Sequence, residues 1–257
     1  MPIITLLTDF GTRDHFVGAM KGVMLKLNPA LVFVDISHEI PPQDIYAGSY
    51  TLGNCCFYYP PGTIHLAVVD PGVGSARRAL AVSAGGSFFV APDNGLLTHV
   101  MQSCGGFVAH EITAEHYYNK PVAVTFHGRD VFAPIAAWIS RGIPLSQLGP
   151  AVTNPVRLQL PEIKKVRDAL IQGTIIAVDR FGNIVTNLKP EDVPRSFKLI
   201  SGRTEVTVMR KTYGEGGPGE VFVVPGSTGY LEIAIRGGSA AEHLKLKAGD
   251  PVGVILS

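Results

Sequence analysis

The sequence predicts an α/β N-terminal domain on a central, mostly parallel sheet, followed by a smaller all-β C-terminal domain, and three observations carry that prediction. From Ile3 to about Ile143, short β-branched runs alternate with stretches of helical period, the pattern of a βα sheet. After Gly149 the texture changes, and Asn154-Pro155, Pro161 and the charged run Lys164-Lys165-Val166-Arg167-Asp168 read as an exposed connection. Beyond it, short strands punctuated by Gly and Pro suggest a small barrel or sandwich. Residues 1–153 are therefore expected to form the first domain, 154–169 a linker and 170–257 the second domain.

In the first domain the expected strands are Ile3–Thr8, Leu31–Asp35, Thr63–Val69, Ala79–Ser83, Phe88–Ala91 and Val122–Phe126. The expected helices are His15–Leu27, Gln43–Leu52, Gly95–Gln102 and Asp130–Arg141, the second opened by Pro41 and Pro42 and the third following Asp93-Asn94 as candidate caps. In the second domain Gly173–Val178, Ile184–Leu188, Glu205–Met209, Val221–Val224, Tyr230–Ile235 and Pro251–Leu256 read as strands, and only Ala240–Leu246 as helix.

Apolar residues make up 46% of the 257 positions and charged residues 17%, which suits a compact protein with a large interior and buried subunit contacts, and argues against disorder. Lys plus Arg number 22 against 21 Asp plus Glu, so no field gathers nucleic acid or anionic lipid, and the balance argues against both as partners. The start, Met1-Pro-Ile-Ile-Thr-Leu-Leu-Thr-Asp9, has no basic region and reads as a first strand rather than a signal peptide. No apolar run approaches the roughly 20 residues that span a bilayer. Cys55, Cys56 and Cys104 are odd in number and lack zinc spacing, so they are expected to be reduced and buried in a cytoplasmic protein.

Three constellations end predicted strands. In Thr8-Asp9-Phe10-Gly11-Thr12-Arg13-Asp14, Asp9 is placed where a carboxylate can accept both hydroxyls of a sugar diol, while Asp9 or Asp14 can equally cap the following helix. In Asp70-Pro71-Gly72-Val73-Gly74-Ser75-Ala76-Arg77-Arg78 the glycines superficially suggest a dinucleotide loop. The chain then returns to strand pattern at Ala79, whereas a phosphate-binding fingerprint opens a helix. Asp70 and Arg77 then stand on two limbs of a tight turn, to share a water or simply an ion pair. In Phe126-His127-Gly128-Arg129-Asp130, His127 reads as a proton carrier at a strand edge or as a packed histidine. The C-terminal half adds Asp179-Arg180-Phe181-Gly182-Asn183, where Phe181 can stack on a purine and Asn183 read an edge, or the stretch is an ordinary hairpin. Gly226-Ser227-Thr228-Gly229-Tyr230 offers hydroxyls and backbone donors for a small zwitterion, with Ser227 and Tyr230 as candidates, or is merely a turn.

Taken together, TDFGTRDHFVG, ISHEIPPQDI, VVDPGVGSARR, APDNGLL, TFHGRDVFAP, DRFGNIVTN and GSTGYLEIA resemble, in order and over essentially the whole chain, the S-adenosylmethionine hydroxide adenosyltransferases, water-using relatives of fluorinase and chlorinase. The resemblance implies a β-barrel-like C-terminal domain and a homotrimer whose ligand lies between one subunit's N-domain and its neighbour's C-domain. It implies hydrolysis of S-adenosyl-L-methionine to adenosine and L-methionine, with no cofactor and no metal. Asp70, Arg77 and His127 match the family's water-handling residues, Asp9 its ribose-diol carboxylate, Phe181 with Asn183 its adenine and methionine contacts, and Ser227 a methionine-binding serine. Thr228 stands where fluorinase has arginine, and Gln43 replaces an aromatic of the halogenase pocket, so neither inherits that role. A halide-using adenosyltransferase has a tyrosine at the Asp70 position and is the nearest alternative. A non-catalytic adenosyl-ligand sensor is a second alternative. A metallohydrolase on Asp9, Asp70 and His127 lacks a compact ligand motif such as HExxH.

Overall fold

A computed structural model describes residues 1–167, 170–194, 196–202 and 204–256, so Asp168 and Ala169 of the predicted linker lie outside the described residues. The chain divides into two compact units, Met1–Leu158 and Gln159–Ser257.

The first unit is an α/β layer structure. Its strands are β1 (Ile3–Thr8), β2 (Val32–Ser37), β3 (Ile64–Val68), β4 (Ala79–Ala84), β5 (Ser87–Pro92) and β6 (Phe107–Glu111), in the order β2-β1-β3-β5-β4-β6. β1 pairs parallel with β2 and β3, and β3 pairs parallel with β5. β4 is antiparallel to β5, because a Gly85-Gly86 turn returns the chain directly, and it is also antiparallel to β6 on its other side. Alternation sorts the side chains onto two cores: Ile4, Leu6, Leu66 and Val68 pack with α1 (Phe16–Leu27) and α4 (Ala133–Ser140), while Leu7, Ala67, Val69 and Phe89 pack with α2 (Ile45–Gly53) and α3 (Thr98–Ser103). The connection from β1 to β2 through α1 and the one from β2 across to β3 through α2 thus run on opposite faces, and the carboxyl ends of β1 and β3 flank a topological switch point. Among the described residues no helix is long and apolar enough to cross a membrane.

The second unit is a nearly closed antiparallel sheet. Its strands are β7 (Lys164–Arg167), β8 (Leu170–Val178), β9 (Ile184–Thr186), β10 (Phe197–Ser201), β11 (Thr204–Val206), β12 (Val221–Pro225), β13 (Leu231–Ile235) and β14 (Pro251–Leu256), with one helix, α5 (Ala240–Leu244). The order is β11-β10-β14-β8-β9-β13-β12, with β7 also on β8. Val208 and Arg210, just past β11, exchange backbone bonds with Val223 of β12 and draw the two ends of the order together.

Several expected elements differ, each for a physical reason. Val122–Phe126 is no strand, because the Ala123 amide donates to the Asp130 carboxylate at 2.9 Å and the Phe126 amide to the Ala123 carbonyl at 3.1 Å, folding the segment into turns. Lys164–Arg167 is a strand rather than a connection, and all four residues are exposed, which removed the alternation a half-buried strand shows. Residues 154–158, assigned to the linker, are bonded into the first unit: Arg78 donates to Asn154, and the Val156 and Leu158 amides donate to Asp93 and Thr98. α3 starts at Thr98 without a side-chain cap, and Asn94 instead accepts from the Leu96 amide. α2 is capped by Asp44, whose Oδ1 accepts from the Ala47 amide at 2.9 Å. β6 and β10 were not anticipated.

His65, in the middle of β3, is fully buried, with Nδ1 2.7 Å from Thr5 Oγ1, its ring stacked on Phe89, and Nε2 without a hydrogen-bond partner. Burial lowers its pKa from 6.5 to about 4. The unfolded chain takes up this proton near 6.5 and the folded chain only near 4, so the associated stability is present above pH 6.5 and is lost as pH falls through that window. In urea titrations, wild-type protein should therefore lose more stability between pH 7 and pH 5 than His65→Gln, by on the order of 2 kcal/mol; parallel losses would contradict this.

Candidate active site

Asp9 follows the last residue of β1, and Asp70 stands two residues past the end of β3, so the switch point places both at one edge of the sheet. Asp9 does not cap α1, whose N-cap is His15 with no side-chain bond. Its half-exposed carboxylate accepts the Gln43 amide at 2.8 Å. Gln43 has a φ of 66°, a left-handed conformation that costs a non-glycine residue about 1 kcal/mol, and this hydrogen bond helps to hold it.

The Asp70–Arg77 turn is built for a guanidinium. The Val73 amide donates to the Asp70 carbonyl and the Ser75 hydroxyl to the Gly72 carbonyl, closing the loop, and Ala79 then begins β4. Gly74 has a φ of 77°, and a Cβ there would stand 2.6 Å from Val124 Cγ1 and 2.8 Å from the Val124 carbonyl oxygen. Across the turn, Arg77 Nε donates to Asp70 at 2.9 Å and 3.0 Å, and Nη2 donates to Oδ2. Nη2 also lies 3.1 Å from His127 Nδ1, and the guanidinium stacks 5.0 Å from the Phe132 ring centroid. The structure therefore brings Asp70, Arg77 and His127 together.

His127 is not at a strand edge as expected; it precedes a π-helical turn, Gly128–Phe132, that runs into α4. Asp130 anchors this turn. Fully buried, its carboxylate accepts from Asn119 Nδ2 at 2.7 Å, from the Ala123 amide, and from Arg129 at 2.8 Å and 2.6 Å. Burial alone would raise its pKa, but the bonds from Arg129, Ala123 and Asn119 outweigh that and hold it below the usual carboxylate range. Burial, then the Arg77 cation, lower the pKa of His127, with Asp70 and Asp130 opposing. A neutral imidazole follows near neutrality. Because a guanidinium only donates, the Arg77 contact puts a lone pair on Nδ1 and the proton on Nε2. Among the described residues no group of three or more His, Cys, Asp or Glu could hold a metal ion.

The second-unit candidates occupy two turns. Phe181 is 77% exposed, on a turn whose Asp179 accepts from the amides of Phe181 and Asn183. Asn183 is buried, and its Nδ2 donates to Asp179 Oδ2 at 2.9 Å. Gly182 between them takes a φ of 83° against Ser239, the N-cap of α5. Ser227 is exposed and Tyr230 half-buried on a turn in which the Gly226 amide donates to the Tyr230 carbonyl at 2.7 Å. Sequence reading missed Asp130, Phe132 and the buried Glu232, which accepts from Tyr213 Oη at 2.6 Å and whose carboxyl is pushed up by burial.

Residues 4–149 match the model of the SAM hydroxide adenosyltransferase N-terminal domain, and residues 173–253 match that of the C-terminal domain. The chain belongs to the SAM hydroxide adenosyltransferase family. Among relatives in the family, a protein from Salinispora tropica named (R)-S-adenosyl-L-methionine hydrolase is 40% identical, the match covering 98% of this chain and 97% of that one. A Thermus thermophilus protein of the same name is 38% identical over 98% of this chain and 99% of its own. The crystal structure of an uncharacterized conserved protein from Thermotoga maritima superposes with a TM-score of 0.90 at 35% identity, covering 98% and 99% of the two chains. The Asp70–Arg77–His127 cluster of this SAM hydroxide adenosyltransferase hangs on Asp130. Asp130→Ala should lower stability by about 2–3 kcal/mol, the cost of leaving buried donors without a charged acceptor, with the loss read from urea melts; an unchanged midpoint would show that the anchor is dispensable.

Proposed function

We propose that the protein hydrolyses S-adenosyl-L-methionine to adenosine and L-methionine. The observation that carries the reading is the Arg77 guanidinium joined at once to Asp70 and His127, in a chain whose full-length relatives bear the hydrolase name. A sulfonium is already an excellent leaving group, so the site's task is to position and partly deprotonate one water, in surroundings stripped of bulk solvent. The water oxygen attacks the ribose C5′, the C5′–S bond breaks with its electron pair going to sulfur, and neutral methionine departs. The water proton passes to Asp70. The neutral His127, protonated on Nε2, donates to the nucleophilic oxygen and orients it, and the Arg77 charge favours hydroxide character. Orientation of this kind supplies on the order of 7 to 11 kcal/mol in favourable cases.

Asp9 is assigned to the ribose diol, Phe181 and Asn183 to the adenine and methionine ends, and Ser227 with Tyr230 to the methionine zwitterion. The proposal includes a homotrimer, a cytoplasmic setting with the free thiols Cys55, Cys56 and Cys104 reduced, and a reaction without metal or cofactor. Sedimentation at equilibrium reads the trimer, and turnover that survives a strong chelator reads the independence from metal.

Purified protein incubated with S-adenosyl-L-methionine should release adenosine and methionine, and in heavy-oxygen water the label should appear in the adenosine 5′-hydroxyl; unlabelled adenosine would exclude attack at C5′. Asp70→Asn and His127→Ala should each reduce turnover at least about tenfold with the fold intact. His127→Gln, whose amide N–H stands in for Nε2–H, should retain several-fold more activity than His127→Ala; equal loss in both would mean that His127 takes the proton itself.

A further inference from the structure

Directly behind Asp9 lies a buried polar cluster that the proposed reaction does not use. Thr8, the last residue of β1, is fully buried, with Oγ1 2.8 Å from Nδ1 of the equally hidden His38. The same hydroxyl oxygen accepts the Phe10 amide at 3.2 Å, and the His38 carbonyl accepts the Gly11 amide at 2.7 Å. One histidine thus grips the residue before Asp9 and, through its carbonyl and through Thr8, the amides of the two residues after it. On the far side of the ring, Nε2 stands 3.1 Å from Asp35 Oδ1, off the hydrogen-bond axis, and Asp35 Oδ2 accepts from Lys21 Nζ of α1 at 2.7 Å. A carboxylate beside Nε2 favours the proton there, which leaves Nδ1 to accept from the Thr8 hydroxyl, and leaves that oxygen's lone pairs for the Phe10 amide. His38 also opens the loop that ends at Gln43, whose amide binds the Asp9 carboxylate.

We propose that His38, acting through Thr8, is a positioning residue that aims the Asp9 carboxylate at the two hydroxyls of the ribose. The inference rests on the assignment of Asp9 to the diol, and deepens it by naming what holds that carboxylate in place. A bidentate grip on a diol tolerates little rotation, so releasing the Phe10 amide and the Thr8 hydroxyl removes the part of the affinity that the hydroxyls supply, and leaves the contribution of the base.

The test compares binding of adenosine and 2′,3′-dideoxyadenosine to the full-length protein by calorimetry. Wild-type protein should prefer adenosine by at least about tenfold, a preference that Asp9→Asn abolishes, since unpaired polar groups in a site built for a hydroxyl discriminate strongly. Thr8→Val should bring the ratio close to unity while dideoxyadenosine binding, which reports an intact fold, changes less than about twofold. Thr8→Ser should keep the preference. His38→Asn, which places an amide atom at the Nδ1 position, should restore much of what His38→Ala loses, and His38→Gln, which reaches only towards Asp35, should not. If Thr8→Val weakens both nucleosides equally, or leaves the preference intact while Asp9→Asn removes it, the role of His38 is overturned and the Asp9 assignment survives. If wild-type protein binds the two nucleosides alike, the Asp9 assignment falls and this inference with it.

Discussion

The guanidinium of Arg77 is the interaction on which the proposed chemistry of the first unit depends. It reaches the Asp70 carboxylate with Nε and Nη2, reaches His127 with Nη2, and lies over Phe132. Two segments far apart in sequence thereby share one cation: the glycine turn after β3, and the stretch from His127 through the π-helical turn before α4. Burying an ion pair this deeply costs several kcal/mol of desolvation per charge, which the attraction offsets only when geometry and further hydrogen bonds are good, and well-packed apolar residues often serve stability equally well. The arrangement is therefore better explained by the water-activating role proposed for it than by what it adds to the fold. A fixed cation beside a neutral imidazole and a carboxylate is a prepaid electrostatic environment, in place before any ligand arrives.

Asp130 does for the polypeptide what Arg77 does for the side chains. Its four donors come from a distant asparagine, a loop amide and its own neighbour, so a stretch with the composition of a strand is bent into turns around a single carboxylate. This is a tertiary override of local preference. Val122–Phe126 carries the β-branched residues that favour extension, but the sheet has no place for it, and no sequence pattern announces that a carboxylate four residues past its end will capture Ala123.

What was legible in the sequence follows from the same distinction. β1, β3, β4 and β5 were readable because both faces of the sheet are covered and their runs are mostly apolar, interrupted only by single residues such as Thr5, His65 and Ser83. β7 was not, because every residue in it is exposed, and β10 was missed although Phe197, Leu199 and Ser201 alternate inward, because a five-residue run carries that period only weakly. In the site, the spacing of Asp70 and Arg77 across a glycine turn was readable as a pair. The tautomer of His127 was not, since it depends on which group its ring nitrogen meets. Thr8 and His38 escaped attention for a related reason: each looks ordinary alone, and their significance is a distance of 2.8 Å between residues thirty positions apart.

Gly74 shows how finely the two halves of the triad are spaced. A Cβ on it would press into the Cγ1 methyl and the carbonyl oxygen of Val124, three residues before His127, so there is no room for even a methyl group. The glycine acts as a gauge of zero thickness between the loop that carries the cation and the chain that carries the imidazole. A single carbon inserted there would work as a shim, prising the ring from its guanidinium partner and so disarming the proposed centre without altering any group assigned to a reactant.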